Sequence, residues 1–432
     1  MQASSPPPNR AKQPNDALRR RNINGSAQAN TEPNGHASPS HSISPSSTRK
    51  QPHSLISRCK RFTLAHTWTL PLALILAFLS LYALNPTESN PISHFIFLSY
   101  KQEPLEGADP NAPTQYGKGL WDVAFVSFYV IVLSFTREFI MQELLRPLAS
   151  AYIKPRAKQA RFMEQVYTAI YFGVLGPAGL YVMRQTPVWY FNTRGMYELF
   201  PHRTHAAEFK FYYLFEAAYW AQQAVVMLLG MEKRRKDFFE LVAHHIVTLA
   251  LIALSYRFHF TYIGIAVYIT HDISDFFLAV SKSLHYAAPD IMVPFYATSV
   301  ISWIYLRHVL NLRILYSLLT EFRTVGPYEL NWETQQYKCW ISNIITFALL
   351  ATLQALNLFW LYCLLRSALK FLLTGEKKDD RSESDESEIE QDVPKVVGGI
   401  DDQVYLNGSA VLNGNAKHAN GVGYSKKVNG YR

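Results

Sequence analysis

Eight runs of the chain are long and apolar enough to cross a bilayer, which takes about 20 mostly apolar residues in a helix. They lie near residues 68–84, 121–141, 165–183, 206–231, 238–256, 260–281, 291–320 and 341–365. In hydrocarbon every backbone polar group must find its partner within the protein, so such runs are expected to be helices. The expected fold class is an all-α polytopic membrane protein of about eight spans. The third run holds Gly173, Gly176, Pro177 and Gly179, which predicts a kinked or closely packed helix.

Between and around these runs the composition changes sharply. Net charge is +7 over the first 60 residues, −3 over the last 58 and +5 between them. The basic balance is therefore one of tails and loops and does not indicate a nucleic-acid partner. Residues 1–60 are rich in Pro, Asn and Ser and are expected to form a disordered basic tail, with no signal-peptide form. Residues 61–119 would hold the first span and a loop, 120–372 the main membrane domain, and 373–432 a second disordered tail. Cys59, Cys339 and Cys363 form no CxxC pair, which argues against a disulfide scaffold.

The loops predict orientation. An even number of spans puts both tails on one side, with the loops after spans two, four and six. Those loops carry Arg146, Lys154, Arg156, Lys158, Arg161, then Lys233, Arg234, Arg235 and Lys236, then Lys282. By the positive-inside rule this side is cytosolic. The sequons at Asn24 and Asn407 then lie in cytosolic tails and are expected to stay unmodified.

Ionisable residues at membrane depth are costly and are functional candidates. Span five contains His244 and His245, with Thr248 one turn on; span six contains His271, Asp272 and Asp275. Only a short connection separates these spans, so they are expected to be antiparallel neighbours. His245 lies twelve residues before Arg257 and Asp272 twelve after Phe260. At 1.5 Å per residue both sit about 18 Å from the turn, and the spacings within span six let the set converge on one space. Arg307, His308 and Arg313 in span seven read as residues that snorkel near an interface.

Several chemistries can be weighed against that set. The HxxxH and HxxHH boxes of membrane di-iron enzymes are absent. Adjacent helical residues point about 100° apart, so His244 and His245 are not expected to share an ion, and no metal is expected. There is no G-x-S-x-G elbow. Histidine and carboxylate without another nucleophile suit a general base, or a histidine that itself accepts an acyl group.

Residues 209–286 closely resemble the Lag1 motif region of ceramide synthases, in the TRAM–Lag–CLN8 (TLC) superfamily. The resemblance is carried by Tyr219-Trp220, the turn Glu232–Asp237, His244-His245 with Thr248, and His271-Asp272-Ile-Ser-Asp275. It extends over about residues 120–370, and the low-complexity tails are like those of fungal members. It implies a six-helix TLC bundle preceded by an extra span, in the endoplasmic reticulum membrane. The implied reaction is N-acylation of a sphingoid base by a fatty acyl-CoA, giving dihydro- or phytoceramide. His244, His245, His271, Asp272 and Asp275 would be the catalytic set. Acyl-CoA would be a co-substrate, with no permanently bound cofactor, and its phosphates would meet Lys233, Arg234, Arg235 and Lys236. Partners would be membrane lipids, a homo- or heterodimer with a paralogue, and a small single-span accessory subunit. The alternative is a non-catalytic lipid-sensing or translocon-associated relative, which would not need aligned His and Asp. In the acidic tail, Ser382, Ser384 and Ser387 stand among carboxylates at spacings that suit an acidophilic kinase.

Overall fold

The computed structural model describes residues 66–103, 113–231 and 236–374. Both tails, with Ser382, Ser384 and Ser387, lie outside the described residues, and so do Lys233, Arg234 and Arg235. All eight apolar runs are helical. They form α1 (Thr69–Leu84), α2 (Trp121–Phe139), α3 (Arg156–Arg184), α4 (Ala207–Leu228), α5 (Phe238–Arg257), α6 (Thr261–Ala287), the pair α7 (Met292–Ile304) and α8 (Asn311–Thr324), and α9 (Trp340–Thr374). Among the described residues five helices are by themselves long and apolar enough to span a membrane: α2 with its extension to Tyr152, α3, α5, α6 and α9. The protein is an all-α, multi-pass membrane protein.

The packing follows from which helices carry polar or small residues. Helix α1 is apolar on every side and has no buried residue; it leans on α2, with Phe78 edge-on to Phe128 at 5.3 Å. Helix α6 is the most enclosed of the five spans and packs against α3, α5 and α7. On α3, a Cβ at Gly173 would lie 3.2 Å from Phe276, and one at Gly176 3.4 Å from Ile273. The glycine-rich run therefore serves close packing against α6, and the helix continues through Pro177.

Helices α5 and α6 are joined by Phe258–Phe260 alone and pack as antiparallel neighbours, as the sequence predicts. At this end of the bundle, β1 (Gln115–Tyr116) pairs with β2 (His205–Ala206). A buried ion pair ties three helices together here: Lys210 of α4 lies 2.7 Å from Asp122 of α2, which also accepts from Tyr256 of α5 at 2.7 Å. Between α7 and α8 the chain makes a π-helical turn, Tyr305–Leu310, without leaving the helix axis. That turn carries Arg307 and His308 into the bundle, where both are buried. The interface reading fails for these two because partners on other helices hold them inside: Ser274, Asp275 and Asn357 for Arg307, and Gln354 for His308. Arg313 is exposed, as a snorkelling residue should be.

Candidate active site

The five residues singled out by sequence all lie within the apolar helices α5 and α6, and four of them are buried. They do not meet in one space. A cavity of about 220 Å³ runs between α5, α6 and α9, and of the five only His244 and His271 line it. His245 does not line it; its Nδ1 donates to the Leu241 carbonyl at 2.8 Å, and its ring meets that of Trp220 edge-on at 6.1 Å. Asp272 faces α4, where it accepts from the Tyr212 hydroxyl at 3.1 Å. Close by, the buried Glu216 accepts from Tyr171 at 3.4 Å. Asp275 points to α7–α8 and lies 2.6 Å from Arg307. The expected convergence is thus replaced by a histidine pair on the cavity, backed by carboxylates that face other helices. Among the described residues no group of three or more His, Cys, Asp or Glu side chains could hold a metal ion.

The two cavity histidines differ in what their rings can do. His271 Nδ1 lies 2.8 Å from the Val267 carbonyl, which can only accept, so this nitrogen carries the proton. The Asn357 amide of α9 lies 3.2 Å from Nε2. Its orientation is set by Arg307, which donates to Asn357 Oδ1 at 3.2 Å, so the amide NH2 faces the ring. His271 is held as a neutral Nδ1–H tautomer with both nitrogens engaged. His244 sits edge-on between two indoles, Trp220 at 5.6 Å and Trp360 at 5.2 Å. Its Nδ1 is buried and has no partner among the described residues. His244 is the cavity-lining ring whose Nδ1 is left without a partner among the described residues.

Three further polar atoms of cavity-lining residues are buried without a partner among the described residues: Trp220 Nε1, Thr248 Oγ1 and Tyr268 Oη. Thr248 follows His244 by one helical turn, as the sequence spacing implied. Buried polar atoms are almost always paired in folded proteins. Four such atoms on residues that line one cavity point to a polar group on its ligand. The rest of the cavity is apolar and follows one face of α9 (Ile341, Ile345, Leu349, Leu353) to Leu330, Trp332 and Tyr337 in the connection before that helix.

Sequence reasoning placed Arg307 at an interface, named Trp220 only as part of a motif, and missed Asn357 and Glu216. A signal for burial existed at Arg307, Asn357 and Glu216. Each is a strongly polar residue inside an apolar run, and Gln354 and Asn357 recur at i,i+3 on one face of α9. Of the basic run offered to phosphates, Lys236 is exposed just before α5.

Comparison with known proteins places this geometry in context. The TLC domain family matches residues 161–366, from early α3 into α9. The chain is 57% identical over 329 residues to the sphingosine N-acyltransferase-like protein FUM17 of Gibberella moniliformis, covering 76% of this chain and 85% of that one. It is 48% identical to the sphingosine N-acyltransferase lac1 of Schizosaccharomyces pombe, over 75% of this chain and 82% of the relative. Identity is also 48% to the ceramide synthase LAG1 of Saccharomyces cerevisiae, over 75% and 77%.

Proposed function

We propose a reaction and its residues on the premise that this chain belongs to the Lag1-type ceramide synthases, the sphingosine N-acyltransferases built on a TLC domain. The protein is an acyltransferase that makes ceramide. Its substrates are a sphingoid base, dihydrosphingosine or phytosphingosine, and a fatty acyl-CoA, and it resides in the endoplasmic reticulum membrane with both tails in the cytosol. Residues 120–372 form the catalytic domain.

The observation that supports the reading is a cavity-lining histidine, His244, whose buried Nδ1 has no partner among the described residues. His244 lies six residues inside the start of α5, about 9 Å from that end. The thioester would reach it from the side of Lys236, with CoA left at the cytosolic mouth, where Lys233, Arg234, Arg235 and Lys236 meet its phosphates. The acyl chain would lie along the α9 face toward Trp332. Amide formation needs the amine deprotonated and the thiolate released. His244 can act as general base, or take the acyl group on its ring and pass it to the amine. In the second route the C–S bond breaks as a C–N bond to imidazole forms; the amine then displaces the imidazole, and its proton ends on the ring. His271 is the held neighbour that fixes α6 against α9. Asp275 holds Arg307, and His245 and Asp272 brace α5 and α6 behind the site.

The test is acyl transfer by purified protein in lipid nanodiscs, with acyl-CoA and dihydrosphingosine supplied. His244→Ala should abolish product, while His271→Asn should retain more. Near-normal turnover by His244→Ala would sink the assignment. Incubation with acyl-CoA alone, followed by mass spectrometry of the α5 peptide, separates the two routes.

A further inference from the structure

The geometry points to the indole N–H of Trp220 as the donor that stabilises the oxyanion of the acyl transfer, a role that rests on the His244 reading above. Trp220 belongs to α4, is 7% exposed and lines the cavity. Its ring meets that of His244 edge-on. Two tryptophans flank this histidine, and they are not equivalent. The N–H of Trp360 donates to Asp237 Oδ2 at 3.0 Å, which fixes that indole to the start of α5. The N–H of Trp220 has no acceptor among the described residues.

The chemical type of the orphan decides what it can take. An indole N–H donates and cannot accept. Thr248 and Tyr268 also have unpaired hydroxyls on the cavity, but a hydroxyl rotates and serves either role. Trp220 therefore asks for an acceptor on the ligand, beside the atom that reacts. The acyl carbonyl oxygen is such an acceptor, and it is where negative charge develops. In either route the carbonyl carbon becomes tetrahedral, whether imidazole or amine attacks it. The π electrons move onto oxygen, then return as the thiolate or the imidazole leaves. A donor already in place, with water excluded by apolar walls, strengthens its bond as that charge forms. This gives the unpaired indole a use in the transition state that it lacks in the resting protein.

The experiment replaces Trp220 in the full chain by benzothienylalanine, introduced site-specifically. The change puts sulfur in place of N–H and keeps the ring's shape. Trp220→Phe serves as a second variant and His244→Ala runs alongside. The expected result is kcat lowered by about 100- to 1000-fold, with KM for acyl-CoA and the melting temperature unchanged. Stability should hold because no described residue makes a bond with this N–H. A kcat within threefold of the parent overturns the proposal. So does a loss of kcat that tracks an equal loss of melting temperature, which marks a packing role. If His244→Ala stays active while the analogue does not, the donor stands and the histidine assignment falls.

Discussion

Arg307 shows what a charged side chain needs in order to sit inside an apolar bundle. Its Nε donates to Ser274 Oγ at 2.6 Å, and Nη2 to the His271 carbonyl at 3.2 Å and to Asp275 at 2.6 Å. Nη1 donates to Asn357, and the guanidinium lies 3.9 Å from the Trp303 ring centre. One cation thereby ties α7–α8 to α6 and α9 and orients the amide that holds His271. Removing one member of a buried ion pair costs about 3–5 kcal/mol, because the other charge is left uncompensated. Asp275 keeps about 24% of its side-chain surface exposed, so the lower end applies. Arg307→Met should therefore lower stability in detergent by about 3 kcal/mol. Adding Asp275→Leu should recover most of the melting temperature without restoring turnover. If the double variant melts no higher than the single one, the pair is not the source of the loss. The sequence alone leads one to expect that Asp275→Ala costs turnover in a folded protein. The pairing adds a stability loss to that expectation, measurable in the same melting series.

At the scale of helices, the cavity depends on a close approach between α4 and α6. A Cβ at Gly264 would lie 2.9 Å from two ring carbons of Tyr213, which is buried and bonded to Ser255. Both Gly264 and Tyr213 line the cavity, so a shift of that ring changes the cavity's shape. Gly264→Ala should cost about 1–3 kcal/mol of stability through overpacking and shift products toward shorter acyl chains, read by lipid mass spectrometry. An unchanged chain profile would place the chain elsewhere. The connection from Val325 to Cys339 closes the far end through Leu330, Trp332 and Tyr337. Exchanging it for that of a relative with another chain preference should change the product profile. An unchanged profile would leave selectivity to the helix walls. The helices themselves are legible in the sequence, since all eight apolar runs became helical and the α5–α6 turn fell where predicted. The site is legible only in part. Periodicity says that His244 and His245 face different ways, but not which one meets the cavity; that depends on where α4 and α9 pack. Arg307 was misread because the partners that hold its charge inside, Ser274, Asp275 and Asn357, lie on other helices and are brought to it only by packing.

Across the whole molecule, the end of the bundle away from His244 holds a second buried polar network whose titration is outside the reaction. Lys118 Nζ donates to the His202 carbonyl at 2.8 Å and lies 3.3 Å from His259 Nδ1. His205 Nε2 lies 2.8 Å from Thr261 Oγ1, and His259 Nε2 donates to Gln335 at 3.2 Å. Burial is the first cause of every shift in this group. It pushes His202 down to about 4 and His259 to about 3, and it holds His205 well below the ordinary imidazole range. Lys118 is lowered well below the usual amine value, with the charge of Lys210 adding to burial and Asp122 opposing. All four shifts have the same sign: the folded state binds fewer protons than the unfolded one. Stability therefore rises with pH wherever these groups titrate. For the histidines, the loss begins as pH falls through their unfolded value, about 6.5, and continues toward 4. Each fully neutral buried histidine steepens that loss by about 1.4 kcal/mol per pH unit. Between pH 8 and 7 the histidines add nothing to the slope and only the lowered Lys118 does, so the melting temperature of the purified protein should fall more steeply from pH 6 to 4.5 than from 8 to 7. His202→Gln keeps a donor for the Glu198 carbonyl, which His202 Nε2 meets at 2.7 Å, and removes one titrating group. Its melting curve should fall less steeply below pH 6 than that of the parent. Parallel slopes would show that His202 is protonated in the folded protein, and that this end of the bundle opens to water.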